Sequence, residues 1–251
     1  MIYVLCDAAD LSALWAARAL RARGRVTEVV TAAMLDCAPR WHHAIADDGR
    51  THVSVTLGDG RCLASDRPAG VLNRLLYAPC ARVRRVGGDD GDYAAQELSA
   101  LFLSFLMALP GPMANRPTPE GLCGRLRHPS AWALLAAQAG LDAAPYRQSH
   151  ASDPSEAWRP CEAQDKTSVF VVSDRVVAPA HVPAPVLLSC RRLARASEEM
   201  LLGIDVTVSP DGRWRFVGAS PAPDLRAGGD ELVDVLAEVL TPPVLSDRRA
   251  S

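Results

Sequence analysis

The chain has 251 residues, 49% of them hydrophobic, enough for one large domain or two small ones with a packed interior. Its net charge of −2 argues against nucleic acid as a main partner. The basic side is lopsided: 26 arginines stand against one lysine, Lys166, so a single amine exists to grip a phosphate or form a Schiff base.

Residues 2–6, IYVLC, read as a short buried strand. Asp10 is placed to cap the next helix, Leu11 to Arg23, and Gly24 to close it. VTEVV (26–30) is a second strand, so the chain opens with a β-α-β unit, which implies a parallel pair and a right-handed crossover. The first loop, CDAAD, is no glycine-rich phosphate loop. THVSVTL (51–57) alternates polar and apolar residues, GDGR makes a hairpin turn and CLASD returns. AGVLNRLL (69–76) is a further strand with Asn73 and Arg74 at its end. GGDDGD (87–92) is a loop, and Asp92 is placed to cap a helix. In that helix Leu98, Leu101, Phe102, Phe105, Leu106 and Leu109 recur at helical spacing as core.

LPGPMANRPTPEG (109–121) is irregular, SAWALLAAQAGL (130–141) is a helix with Gly140 near its end, and the polar stretch 149–165 reads as a loop or linker. TSVFVVSDRVVAP (167–179) is a hairpin turning at Ser173-Asp174, RRLARASEEMLL (191–202) a helix, and GIDVTVSPDGRWRFVGA (203–219) a hairpin turning at Pro210-Asp211-Gly212. An amphipathic helix, Asp230 to Leu240, precedes a tail, 241–251, that reads as disordered. VPAPVLLSC (182–190) is apolar and serves either as an interface or as core.

Seven cysteines with no CxxC spacing suit a reducing cytoplasm, and the N-terminus has no signal-peptide pattern. The most apolar segment, LSALFLSFLMAL, has 12 residues, whereas a membrane span needs roughly 20. A cytoplasmic protein without membrane partners is expected. Cys37, His42, His43, His52 and Cys62 cluster in sequence, but zinc prefers tighter pairs, and adjacent histidines in a strand face opposite ways. Surface histidines beside a hairpin are the plainer reading. No G-x-S-x-G elbow is present, and no cysteine has a local histidine signature. Gripping a triphosphate usually takes a glycine-rich loop, lysines and carboxylates for magnesium. Yet no glycine lies between Leu141 and Leu202, and the strand exit at 216–223 has no carboxylate before Asp224.

Taken as a series of parts, the chain resembles the ATP-grasp ligases that modify ribosomal peptides, of the microviridin (graspetide) type, and the ribosomal-protein glutamate ligase. The N-terminal half, with the β-α-β unit, VTLGDGRCLASD, GVLNRLLYAP and the long helix, resembles their pre-ATP-grasp domain. In MANRPTPEGLCGRLRHPSAWALLAAQAGLDAAPYRQS, Asn115, Leu134, Ala137, Gly140-Leu141 and Pro145 fit the family pattern. Near the C-terminus, LLGIDVTVSPDGRWRFVGASPAPD resembles the family's "l-GvDv … dG … FlEvNp-P". The resemblance implies an α/β (α+β) fold: a pre-ATP-grasp-like domain over 1–125 and a truncated ATP-grasp-like domain over 126–240.

The departures carry the functional expectation. A family lysine falls on His128 or Pro129, a family arginine falls near Ser168 with Lys166 two positions away, and the family's lid is missing, only residues 149–165 linking to the next hairpin. Asp205 matches the first magnesium carboxylate, while the second, a Glu, falls on Gly218 and its Asn on Ser220. Glycine cannot replace a metal-holding carboxylate. The expectation is a degenerate member without catalytic or metal-ligating residues and without a cofactor. It would act as a peptide-binding or enzyme-partner protein, with a peptide, a partner enzyme or a second copy of the chain as partner. Arg74, Asn115, Arg116, Lys166, Asp205 and Ser220 are the candidate ligand- or peptide-binding residues, and the plain reading of Arg74 and Arg116 is surface arginine. The hairpins at 51–65 and 167–179 offer edges for an added strand. Two alternatives stand beside this one. The first is a shortened but active ATP-dependent carboxylate–amine ligase, with magnesium held by Asp205 alone or with Asp211 or Asp224. The second is new chemistry, for example at a cysteine, in the old cleft.

Overall fold

In the computed structural model, residues 1–66, 70–85, 87–143 and 166–241 are described. They divide into two compact units, Met1–Arg125 with the C-terminal segment beginning at Val233, and Leu126–Leu232. The second unit therefore ends inside the last helix rather than at residue 240.

In the first unit, apolar β1 (Ile2–Cys6) is buried at every position. Asp10 caps α1 (Leu11–Ala22) by accepting the Ala13 N–H at 2.9 Å, which satisfies one of the helix's orphan donors. Gly24, at φ +73, turns the chain into β2 (Thr27–Thr31). Next come α2 (Ala32–Asp36), β3 (Arg40–Ile45), β4 (Thr51–Thr56), β5 (Cys62–Ala64), β6 (Gly70–Asn73), α3 (Ala81–Arg84), α4 (Gly88–Ala108) and β7 (Met113–Ala114). The parallel sheet runs β2-β1-β6-β7, and β3-β4-β5 form a separate antiparallel sheet. Phe102, Phe105, Leu106 and Leu109 of α4 and its C-cap join Val53, Val55 and Leu63 in one core, with Trp41 packed edge-on to both phenylalanines. Leu98 and Leu101 are only half-buried.

Three expectations change here. Helix α4 starts at Gly88 with Asp89 and Asp90 in its first turn, so Asp92 lies inside the helix and does not cap it. Strand β3 was not foreseen. It covers one side of β4, so the hairpin at 51–65 offers only β5 as a free edge, and β3 itself is the other edge. His42 and His43 do face opposite ways: the His42 ring meets His52 on one face, and His43 lies beside the Ser104 hydroxyl at 3.4 Å.

The second unit is built on α5 (Pro129–Gln138), β8 (Asp142–Ala143), β9 (Thr167–Val172), β10 (Arg175–Val177), α6 (Ala184–Ser197), β11 (Leu201–Val208) and β12 (Trp214–Ser220). A 3-10 turn, Leu225–Gly228, leads into α7 (Gly229–Val239). The sheet order is β10-β9-β11-β12-β8, antiparallel except for the β12–β8 pair. One face, carrying Val169, Val171, Leu202, Ile204, Val206 and Phe216, packs with α5 and α6 residues such as Trp132, Cys190 and Leu193. The stretch 182–190 runs into the start of α6 and is divided: Val182, Ser189 and Cys190 are buried, Val186 and Leu187 are half-buried against the core, and Pro183 to Pro185 and Leu188 are exposed. Strand β9 is interior, so the hairpin at 167–179 presents β10 as its edge. The polar stretch 149–165 and the tail from 242 lie outside the described residues. No described helix is long and apolar enough to cross a membrane.

Candidate functional site

In the first unit the chain runs from β1 through α1 to β2 on one side, then returns to β6 on the other. Strand order reverses between β1 and β6, and crevices at the carboxyl ends of such strands are where open α/β sheets take ligands. Here the crevice is filled by the protein's own ion pair. Arg74 follows β6, and its Nε donates to Asp10 Oδ2 at 2.7 Å while an Nη donates to Oδ1 at 3.3 Å. The Arg74 side chain is 6% exposed, so it is no surface arginine, and the carboxylate it holds is internal. Asp10 thus both caps α1 and neutralises Arg74. Beneath them, burial, reinforced by Asp10, pushes the Cys6 thiol up to about 11, against the pull of Arg74. Cys6 therefore stays a thiol, not a nucleophile, at neutral pH. Asn73 ties the neighbouring strands together: its amide donates to the backbone oxygens of Asn115 at 3.1 Å and Leu122 at 2.5 Å. Asn115 is buried, with a left-handed backbone at φ +58, which asparagine tolerates better than most residues. Arg116 is exposed and donates to the Gly111 carbonyl at 2.9 Å.

In the second unit the candidates gather on the sheet face opposite α5 and α6. Asp205 on β11 pairs with Ser168 on β9 and with Gly218 on β12. The Ser168 hydroxyl donates to Asp205 Oδ1 at 2.8 Å. On the other side a Cβ added to Gly218 would meet nothing within 4 Å, so Asp205 faces open space there. Ser220 pairs with Gly203 two rungs along on the same face, and its hydroxyl accepts the Ala222 N–H at 3.1 Å. A β-bulge leaves Val217 without a partner on β11, because Asp205 pairs with Gly218 but Val206 with Phe216. Lys166 is exposed just before β9. Gly203 itself is needed: a Cβ there would sit 2.3 Å from the Pro223 ring, which covers this end of the face.

The other carboxylates suggested as metal partners are occupied. Asp211 sits in the β11–β12 turn, where the Ser209 hydroxyl and the Arg213 guanidinium hold its carboxyl well below the usual range. Asp224 caps the 3-10 turn and binds the Arg226 guanidinium through both oxygens. Among the described residues no three His, Cys, Asp or Glu side chains stand together to hold a metal. One carboxylate beside a serine and a glycine does not fit a two-carboxylate magnesium–nucleotide site, which needs near-ideal octahedral oxygen ligation.

Sequence reasoning missed the Asp10–Arg74 pair, because its partners lie 64 positions apart and Asp10 already had a role as a cap. It also missed the short bond from Ser168 to Asp205, although both residues were singled out. Trp41 and β3 escaped because RWHHAI alternates an aromatic residue with histidines and reads as polar surface.

No protein-family model and no curated protein matches this sequence. Among solved structures, macrocyclase MdnC from Microcystis aeruginosa MRC, bound with precursor peptide MdnA, is similar at a TM-score of 0.67 and 12% identity, over 95% of this chain and 100% of that one. An ATP-grasp ligase associated with ribosomally synthesised, modified peptides in Chryseobacterium gregarium, in complex with ADP and a leader and core peptide, gives 0.69 and 13%, over 94% and 96%. The ATP-grasp ligase PsnB, complexed with a variant of its minimal precursor, Mg and ADP, gives 0.65 and 17%, over 96% and 97%. These likenesses, low in identity and long in coverage, show that the chain has the α/β ATP-grasp fold in the form found in ligases that modify ribosomal peptides.

Proposed function

We propose that this chain is a degenerate ATP-grasp protein that binds a peptide, or an enzyme that carries one, in a peptide-modifying pathway, and does not itself turn over ATP. The observation that carries the reading is the pairing of Asp205 with Gly218 across the β11–β12 ladder. At that rung the resemblance calls for a second carboxylate, and the chain supplies no side chain at all. Activating a carboxylate as an acyl phosphate needs magnesium to neutralise the phosphates, and losing that anchor removes several kcal/mol of electrostatic stabilisation. The short link 149–165, by its length in the sequence, supports the same reading. The peptide side of the proposal rests on the similar solved structures, which hold precursor peptides.

The test is calorimetry with the full chain. ATP and ADP with magnesium should give no binding heat at concentrations up to about 1 mM, the level where affinity is worth only about 4 kcal/mol. Peptides encoded beside the gene should bind. Micromolar binding of Mg·ATP, or release of ADP in the presence of a peptide, would overturn the reading in favour of a shortened active ligase.

A further inference from the structure

A groove of about 400 Å³ opens in the first unit, lined only by residues of that unit and by neither Asp10 nor Arg74. Its floor is apolar, formed by Leu35, Trp41, Val83 and Phe102, and its polar rim carries Asp36 and Arg82. Asp36 is engaged by the chain itself, accepting the Arg82 backbone N–H at 3.3 Å. Arg82 in α3 and Arg85, the residue that follows that helix, are exposed and three positions apart, whereas Arg84 turns to the Cys80 sulfur at 3.4 Å. The rim itself thus pairs Asp36 with Arg82, and Arg85 sets a second exposed guanidinium beside it.

The groove lies at the start of a free strand edge. Among the described residues, strand β3 pairs only with β4. On β4, the Val53 carbonyl and N–H face β5, since the Ser65 N–H donates to the carbonyl at 2.9 Å and the Val53 N–H donates to the Ser65 hydroxyl at 3.0 Å. Alternation then turns Ser54 and His52 toward β3, where they pair with His42 and Ala44. It follows that the peptide groups of Trp41, His43 and Ile45 point outward, and that Trp41 both lines the groove and begins the open edge. Ile45, at the far end, is 73% exposed. An edge left unpaired over six residues is a template for another strand unless something blunts it, and β3 has neither a proline nor a lysine in it.

We infer that this groove and edge form a peptide-docking surface, whose occupant is an extended acidic segment with one large apolar side chain. The segment adds a strand to β3, its apolar side chain enters the groove against Trp41 and Phe102, and its carboxylates meet Arg82 and Arg85. This deepens the peptide-binding reading and rests on it, naming the surface and the class of peptide.

The test uses the full chain and fluorescence anisotropy with a fluorescein-labelled peptide DETTTFTED, its lysine counterpart KKTTTFTKK, and DETTTFTED with N-methylated backbone at alternate residues. The acidic probe should bind at least 10-fold more tightly than either of the other two, and salt should weaken it. Arg82→Glu/Arg85→Glu should weaken the acidic probe at least 10-fold and raise the affinity of the lysine probe. His43→Pro removes an outward N–H without touching the β4 ladder, so the fold should survive while the acidic probe weakens by a similar factor. Arg192→Glu, on an exposed position of α6, should change nothing. Equal binding of the acidic and basic probes, or unchanged binding by both groove variants, would overturn the assignment. In the second case the acidic probe still binds, so peptide binding stands and only its location falls. Binding of Mg·ATP bears on the pseudoenzyme reading alone.

Discussion

Replacing Arg74 by methionine removes a guanidinium but keeps the length of the side chain. In the wild type the Arg74 side chain is 6% exposed and the Asp10 side chain 17%, and two hydrogen bonds at 2.7 and 3.3 Å join them. Breaking a buried pair by removing one partner costs about 3–5 kcal/mol, because the other charge stays behind. Asp10 is partly compensated, since it also accepts the Ala13 N–H and keeps some solvent, so the cost falls to the bottom of that range and below it: about 2–3 kcal/mol. Asp10→Ala should cost more, about 4 kcal/mol, because the helix cap, worth about 1 kcal/mol, goes as well and Arg74 is the more deeply buried charge. The double variant should recover about 2 kcal/mol of the sum. Each kcal/mol moves the melting temperature of a chain this size by about 2–4 °C, so Arg74→Met should melt roughly 4–12 °C lower by far-UV circular dichroism. Its affinity for peptide should match the wild type, because the guanidinium serves Asp10 and not a ligand. A coupling energy below about 0.5 kcal/mol, or a peptide affinity that falls while stability holds, would refute the reasoning.

Glycine substitutions should separate structure from the empty rung. Gly203→Ala drives a methyl to 2.3 Å from Pro223 and should cost about 1–3 kcal/mol in urea denaturation, whereas Gly218→Ala meets nothing and should lose no more than the strand's intrinsic preference. Gly218→Glu with Ser220→Asn should fold and still release no phosphate from ATP; turnover would show that the shortened link is not what disables the chain. Burial pushes the Cys190 thiol up to about 12 from the ordinary value of 9.0. Its folded form holds the proton, so that contribution to stability is complete below about pH 9 and is lost as pH rises toward 12. Alkaline melting should therefore steepen above pH 9, less so in Cys190→Ala. At pH 8 iodoacetamide should label exposed Cys37 and leave Cys6 and Cys190 untouched, as read by intact-mass spectrometry.

Elements with a strong local period were legible in the sequence. IYVLC is apolar throughout, Asp10 and Gly24 bracket α1, and the turn residues of GDGR and SPDG mark hairpins. The errors lie where a local signal meant something else. The sequence pattern predicts a helix only from Arg191, yet proline suits the first turn of a helix, and α6 begins at Ala184, between Pro183 and Pro185. The acidic run at 89–92 suggested a loop ahead of a cap, yet carboxylates favour a helix N-terminus, and Asp89 and Asp90 occupy the first turn of α4. Of the candidate site, the alignment of Asp205 with Gly218 came from the resemblance, while the Arg74 pairing did not, since nothing local announces a contact between an N-cap and a strand end. Neither the β3 edge nor the groove could be read from RWHHAI alone, because a strand is an edge only by virtue of what does not pair with it.

The bulge at Val217 decides which way the site faces. Strict alternation from Trp214 would put Phe216, Gly218 and Ser220 all on the core side, beneath the sheet and out of reach of Asp205. The unpaired residue shifts the phase, so that Phe216 and Ala219 point to the core while Gly218 and Ser220 share the face of Asp205. One strand thus carries two reading frames, and the length of the chain at a single position couples them. Deleting Val217 would leave every side chain of the exit on its present face, whereas drawing Val217 into the ladder as a paired residue would turn the exit of β12 inside out. The side chains at 218 and 220 can change without disturbing that pairing, so the frame of an old active site can outlast its chemistry.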